Sequence, residues 1–166
     1  RLAAGADGRD RILFQRSRER GDRAFSLWTI DYKPGDTSAP TEVVSSPNTA
    51  LINADWSPDG ERIVYASVEN PGNTGSSSPN PAVSDLWMAN IDGSGRVNLT
   101  NGKFMNLMPS WSKDGRIYFV SNRGGTTNLW ALGTEKAIFA ATGPTTQKPN
   151  SAVADVPEHH EEQPQH

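Results

Sequence analysis

Asp55-Trp56-Ser57-Pro58-Asp59-Gly60 and, 55 residues later, Ser110-Trp111-Ser112-Lys113-Asp114-Gly115 are two versions of one segment. Pro58 presets φ for the first central position of a turn, Asp59 tolerates the second, and Gly60 supplies the left-handed conformation that closes a hairpin. Each segment runs into an apolar stretch of strand type, Arg62-Ile63-Val64-Tyr65 and Arg116-Ile117-Tyr118-Phe119-Val120. A shorter form stands near the start of the chain, where Asp7-Gly8 leads to Arg11-Ile12-Leu13-Phe14. The segments read as hairpin tips between strands.

Working outward, a Leu-Trp pair follows each of the three: Leu27-Trp28-Thr29-Ile30-Asp31, Leu86-Trp87-Met88-Ala89-Asn90-Ile91, and Leu129-Trp130-Ala131-Leu132. Beyond each pair comes another turn and a short fourth strand. Asp36 leads to Thr41-Glu42-Val43-Val44, Asp92-Gly93-Ser94-Gly95 to Arg96-Val97-Asn98-Leu99-Thr100, and Gly133 to Lys136-Ala137-Ile138-Phe139. Any one of Trp28, Trp56, Trp87, Trp111 or Trp130 is accounted for as a large core residue of a β-sandwich. The ordered recurrence of turn, strand and Leu-Trp is not, because a sandwich has no reason to repeat. Gly60 to Gly115 is 55 residues and Trp87 to Trp130 is 43, near the ~40–50 of a propeller blade. The expected fold is therefore all-β and propeller-like: three four-stranded antiparallel blades over about 5–50, 51–104 and 105–142, with an extended tail at 143–166.

Composition agrees. A chain of 166 residues is one domain by length. With 15 Gly, 12 Pro and 34% apolar residues, turns are frequent and long helices few. The balance of 16 basic against 19 acidic residues, net −3, gives no electrostatic footprint for nucleic acid. No stretch approaches the ~20 apolar residues of a membrane-spanning helix. The absence of cysteine excludes disulfides, thiol catalysis and cysteine-ligated zinc. Because the first residue is Arg1 rather than Met, a processed or partial chain is expected, and the sequence is silent about a signal peptide.

At Trp56 to Tyr65, and at Trp111 to Arg123 with Ser121-Asn122-Arg123 followed by Asn128-Leu129-Trp130, the chain resembles the TolB-like propellers built from WD40-like "PD40" repeats. The likeness extends over roughly residues 5–142. It implies a periplasmic or extracellular interaction module, and the same propeller also forms half of some serine peptidases. The localisation rests on this resemblance.

A closed propeller needs about four to eight blades, and three are counted. Either the chain is a piece of a longer propeller, or it is an arc whose open faces are interfaces; the second reading is preferred here. Residues 143–166, nearly free of apolar side chains, cannot offset their ordering entropy and are expected to lie extended along a partner. His159 and His160 in that tail are candidate contacts, and the acidic residues beside them read as solvated tail rather than a metal site. Two strand connections, Arg16 to Ser26 and Glu69 to Asp85, are elaborated on one face of the disc, where repeat arrays bind. Arg16, Arg18, Arg20 and Arg23 in the first suit a carboxylate- or phosphate-bearing surface; the second reads as a flexible loop. Phe104 and Met105 are candidate partner anchors, whereas Leu107 and Met108 are expected to enter the core as an inner strand.

There is no Gly-x-Ser-x-Gly elbow, phosphate-binding glycine loop or His-Glu-x-x-His. All three histidines, His159, His160 and His166, lie in the tail, and Asp59, Asp92 and Asp114 are explained by their turns. No catalytic residue, metal ligand or cofactor is expected. The function expected is that of a non-catalytic interaction or scaffolding subunit bound to other proteins, as on the periplasmic face of a membrane complex. The alternatives are the propeller portion of a larger serine hydrolase and a small-ligand-binding propeller.

Overall fold

The computed structural model describes residues 2–4, 9–69 and 81–142. The Asp7-Gly8 turn, most of the Glu69 to Asp85 connection and the tail with His159 and His160 lie outside the described residues. Three antiparallel sheets follow one another along the chain. The first comprises β1 (Leu2–Ala4), β2 (Asp10–Ser17), β3 (Phe25–Lys33), β4 (Asp36–Thr37) and β5 (Thr41–Val44), with β4 and β5 both pairing β3. In the second, β6 (Thr49–Trp56), β7 (Arg62–Glu69), β8 (Asp85–Asn90) and β9 (Val97–Asn98) run in sequence order. The third contains β10 (Asn106–Trp111), β11 (Arg116–Ser121) and β12 (Asn128–Gly133). The fold is all-β in its frame, an open arc of propeller blades.

The hairpin tips form as the sequence predicts. In the β6–β7 turn the Gly60 N–H donates to Ser57 O at 2.9 Å and Gly60 has φ 72°; in the β10–β11 turn Gly115 donates to Ser112 O at 3.1 Å with φ 82°. Closure falls between Ser57 and Arg62 in one and between Ser112 and Arg116 in the other, so Glu61 is a one-residue expansion of the same tip. The aspartates brace these turns. Asp59 accepts from the Glu61 N–H at 3.0 Å and from the Ser57 hydroxyl, and Asp114 accepts from the Arg116 N–H at 3.0 Å and the Tyr118 hydroxyl at 2.9 Å. These donors hold both carboxyls below the usual carboxylate range, Asp59 chiefly through Ser57 and Asp114 chiefly through the Arg116 amide.

Two expectations are corrected. Residues 136–139 are not a fourth strand: they lie in α1 (Glu135–Thr142), so the third unit is three strands and a helix. The segment Glu-Lys-Ala-Ile-Phe-Ala-Ala has one β-branched residue among strong helix formers, and Glu135 in the first turn complements the helix dipole. Buried Thr134 anchors it by donating its hydroxyl to Gly115 O at 2.8 Å and its carbonyl accepts the Ile138 N–H at 2.9 Å. Ala137 then enters the core, flanked by Ile138 and Ala141. The second correction is Met108, which is 61% exposed rather than part of the core. Its φ of 52° falls at a register shift between Leu107 and Ser110, a β-bulge that turns its side chain out. Asn53, φ 54°, sits at the matching bulge between Ile52 and Asp55 of β6.

The core lies in two seams. Leu13, Leu27, Val43, Val44, Leu51, Trp56, Ile63 and Tyr65, with Trp87 packed beside them, join the first sheet to the second. Val64, Ala66, Leu86, Met88, Trp111, Ile117 and Phe119, with Trp130, join the second to the third. Strand alternation explains the Leu-Trp pair, since successive side chains point to opposite faces. The leucine enters the seam with the following sheet and the tryptophan enters the seam with the preceding one.

Candidate interaction surfaces

Each seam therefore needs two halves, a leucine face and a tryptophan face. Leu27 and Leu86 are both 0% exposed in their seams, but Leu129, at the same repeat position in the third sheet, is 71% exposed. It pairs across β11–β12 with Val120, next to the Tyr118–Ala131 pair. At the other end of the arc Trp28 belongs to neither seam. Its face carries the Phe14–Trp28 and Ile12–Ile30 cross-strand pairs, all half-buried. Trp28 is fixed by donating Nε1–H to Ser26 Oγ at 2.8 Å, and the Arg16 guanidinium stacks 5.1 Å from its ring centre. Among the described residues, the arc thus presents a tryptophan face without a partner sheet at one end and a leucine face without one at the other.

The arginine group divides accordingly. Arg16 is the penultimate residue of β2, opposite Ser26, and belongs to the tryptophan face. Arg18, Arg20 and Arg23 are exposed around a turn in which the Asp22 N–H donates to Glu19 O at 3.1 Å. Met105, expected as a surface anchor, is 5% exposed and lies in the second seam. Phe104 is half-buried beneath Arg123, whose guanidinium lies 6.0 Å from its ring centre. The structure brings Phe104 and Met105 together with the core, not with the arginine loop.

Two polar ties inside the second seam are not evident from the repeat motif. Buried Asp55 accepts from the Trp111 N–H at 2.9 Å and from the Trp56 N–H at 2.8 Å, stapling two inner strands 56 positions apart in sequence. Asn106, 1% exposed, donates Nδ2–H to Ser84 O at 2.8 Å and accepts from Arg123 at 2.9 Å, while Ser84 Oγ donates to Asn106 O at 2.7 Å. Arg123 lies over Phe119 at 4.8 Å and Trp130 at 5.5 Å, and this burial pushes its pKa down. The Ser121-Asn122-Arg123 motif is thereby a seam lock, with the Met105 N–H donating to Asn122 Oδ1 at 3.0 Å. The counterpart of Asp55 in the third sheet is Ser110, which is exposed where no sheet follows among the described residues.

Among the described residues there is no group of His, Cys, Asp or Glu able to hold a metal ion, and no helix long and apolar enough to cross a membrane. Burial pushes the Tyr65 hydroxyl up to about 12, and the Arg11–Asp31 ion pair at 2.6 Å, which braces β2 against β3, holds the Asp31 carboxyl below the usual carboxylate range.

An arc of seamed four-stranded or near four-stranded blades with two raw faces defines a β-propeller segment. A TolB-assigned protein of solved structure from Agrobacterium tumefaciens superposes with a TM-score of 0.56 over 78% of this chain and 40% of that one, at 23% identity. The Tol-Pal system protein TolB of Alcanivorax borkumensis is 27% identical over 89 residues, 54% of this chain. Dipeptidyl-peptidase 5 of Porphyromonas gingivalis is 42% identical over 74 residues, 44% of this chain. An uncharacterized protein of Agrobacterium fabrum is 34% identical over 78 residues. No family model matches. In fold the chain is an open propeller arc similar to that of the solved TolB neighbour, and the matched segments span 10%, 23% and 18% of the lengths of the dipeptidyl-peptidase, the A. fabrum protein and TolB.

Proposed function

We propose that this chain is a non-catalytic protein-interaction segment of an exported bacterial protein, acting at the periplasmic side of a multi-protein assembly through the ends of its arc. One observation carries the reading: Leu129 stands 71% exposed at a repeat position that is fully buried twice elsewhere in the molecule. Exposed apolar surface of that kind is normally met by another surface. The likeness to TolB supports the interaction role and the periplasmic setting. Arg18, Arg20 and Arg23 would supply the polar rim around the tryptophan face, where charged contacts set orientation more than affinity.

The test is affinity purification of the full chain from cells that produce it, beside Leu129→Asp and a deletion of residues 143–166. Loss of bound proteins from the Leu129 variant, with its circular dichroism unchanged, is the expected result. Identical recovery from all three would contradict the reading.

The 42% identity with a segment of dipeptidyl-peptidase 5 favours a second reading, in which the same arc is part of the propeller of a larger serine peptidase. The mass and peptide-hydrolase activity of the protein from its own cells separate the two. A polypeptide of any mass without peptide-hydrolase activity supports the first, and a much larger one with that activity supports the second.

A further inference from the structure

The connection between the second and third sheets carries the only Asn-Gly pair of the chain, Asn101-Gly102. Both residues are exposed, and Gly102 stands at φ 72°, in the left-handed region. The stretch is tied on either side. Upstream, the Thr100 N–H donates to Asn98 Oδ1 at 2.9 Å and the Thr100 hydroxyl donates to Asp85 Oδ1. Downstream, Phe104 O accepts from the Ser84 N–H at 3.1 Å and from Asn106 Nδ2 at 3.1 Å. Between these ties the Gly102 N–H itself donates to Asp85 Oδ1 at 2.8 Å.

Asparagine is a chemically labile residue, and it is most labile before glycine, which puts no Cβ in the way of attack by the next backbone nitrogen on the side-chain amide. To attack, that nitrogen must give up its proton. A carboxylate accepting the same N–H opposes the loss, because an anion would form against a negative charge. We infer that Asn101 is a modification site, deamidating spontaneously to aspartate and isoaspartate, and that Asp85 sets its rate by holding the Gly102 amide. In the first step Gly102 N bonds to Asn101 Cγ, the Cγ–Nδ2 bond breaks, and ammonia leaves with the proton. Water then opens the five-membered ring, at Cγ to give aspartate or at the backbone carbonyl to give isoaspartate. Isoaspartate makes the main chain one carbon longer between Thr100 and Phe104, two points already tied. The longer loop draws Gly102 off Asp85 and loosens the connection that leads Met105 and Leu107 into the second seam.

The full chain is aged in mildly alkaline buffer, with and without urea, and mass spectrometry follows the exchange of NH2 for OH at each asparagine. Asn101 should convert first among the asparagines of the described residues, yet about tenfold more slowly folded than in urea, the factor that one hydrogen bond to a charged group supplies. Asp85→Asn, which keeps the shape and removes the charge, should convert about tenfold faster than the folded wild type and at the same rate in urea. Hydrogen exchange at the Gly102 amide of the wild type needs no variant and should show the protection of a bonded amide. Earlier conversion of another described asparagine, equal rates for folded and unfolded wild type, an Asp85→Asn rate equal to that of the folded wild type, or a Gly102 amide exchanging as a free one would each overturn the proposal. Aged protein carrying isoaspartate should also unfold at lower urea than Asn101→Asp, which has the same charge on a main chain of ordinary length. Equal midpoints would overturn the loosening.

Discussion

The middle sheet and the third sheet begin from nearly the same sequence and end in opposite situations. Leu86 and Leu129 each precede the repeat tryptophan on the third strand, yet one is sealed in a seam and the other faces outward, 0% against 71% exposed. Asp55 and Ser110 repeat the contrast on the inner strands, the first spanning to the Trp111 amide and the second exposed. A blade is therefore half of two seams rather than a self-contained unit. A residue's energetic value here depends on its neighbouring sheet more than on its own. That is the nearest-neighbour behaviour of repeat proteins, where stability is a sum of units and interfaces.

The sharpest way to break the comparison is truncation at the paired leucines. Leu86→Ala leaves a cavity in a fully buried site and should cost about 2–5 kcal/mol in urea unfolding, whereas Leu129→Ala should stay within about 0.5 kcal/mol in the dilute protein. Equal losses would mean that the two faces are equally covered. The inner strands come next. Asp55→Ala strands the buried Trp111 amide and should cost about 1–3 kcal/mol, while Ser110→Ala should be near neutral.

Turns sharpen the contrast at a smaller scale. Gly93 has φ 84°, and an added Cβ would stand 2.2 Å from Val43 O of the first sheet. Gly115 has φ 82° and would meet nothing within 4 Å. Alanine at position 115 should cost about 1 kcal/mol for the backbone alone, and at position 93 distinctly more, because it pushes two sheets apart. The smallest effect is electrostatic. The Ser57 hydroxyl and Glu61 amide hold Asp59 below its unfolded value of about 3.9. A lowered carboxyl stabilises the fold above the unfolded pKa and loses that contribution as pH falls through the folded one. Asp59→Asn should therefore flatten the acid limb of the stability curve below about pH 4, followed by tryptophan fluorescence, and shift stability only slightly at pH 7. An acid limb as steep as that of the wild type would remove Asp59 from the account.

Much of this arrangement is legible in the amino-acid sequence. Asp59-Gly60 and Asp114-Gly115 announce their turns because left-handed φ is cheap only there, and Leu-Trp flags the third strand by recurrence. Residues 136–139 read as a strand by repetition, but their apolar positions, Ala137, Ile138 and Phe139 alone, are too few to distinguish a period of 2 from one of 3.6. Repetition favoured a strand and helix propensity prevailed. Met108 faces outward because of a bulge, which shifts the face of a side chain without leaving a mark in the hydrophobic pattern. Met105, the residue before β10, is drawn into the second seam, where its N–H donates to Asn122 Oδ1, a tie that local sequence does not show. Neither the Asp55 staple nor the Asn106–Arg123 lock is visible from local sequence, since their partners are set by how sheets stack.

The central claim, that each leucine of the repeat is closed only by a following sheet, is tested most directly by thiol labelling. Single substitutions Leu27→Cys, Leu86→Cys and Leu129→Cys place one cysteine each in a chain that has none. At concentrations low enough to keep copies apart, the account predicts that Cys at position 129 reacts at the rate of an exposed thiol. Positions 27 and 86 should react on the order of a thousandfold more slowly, limited by opening of the seams. Protection at position 129 equal to that at 86 in the dilute monomer would contradict it.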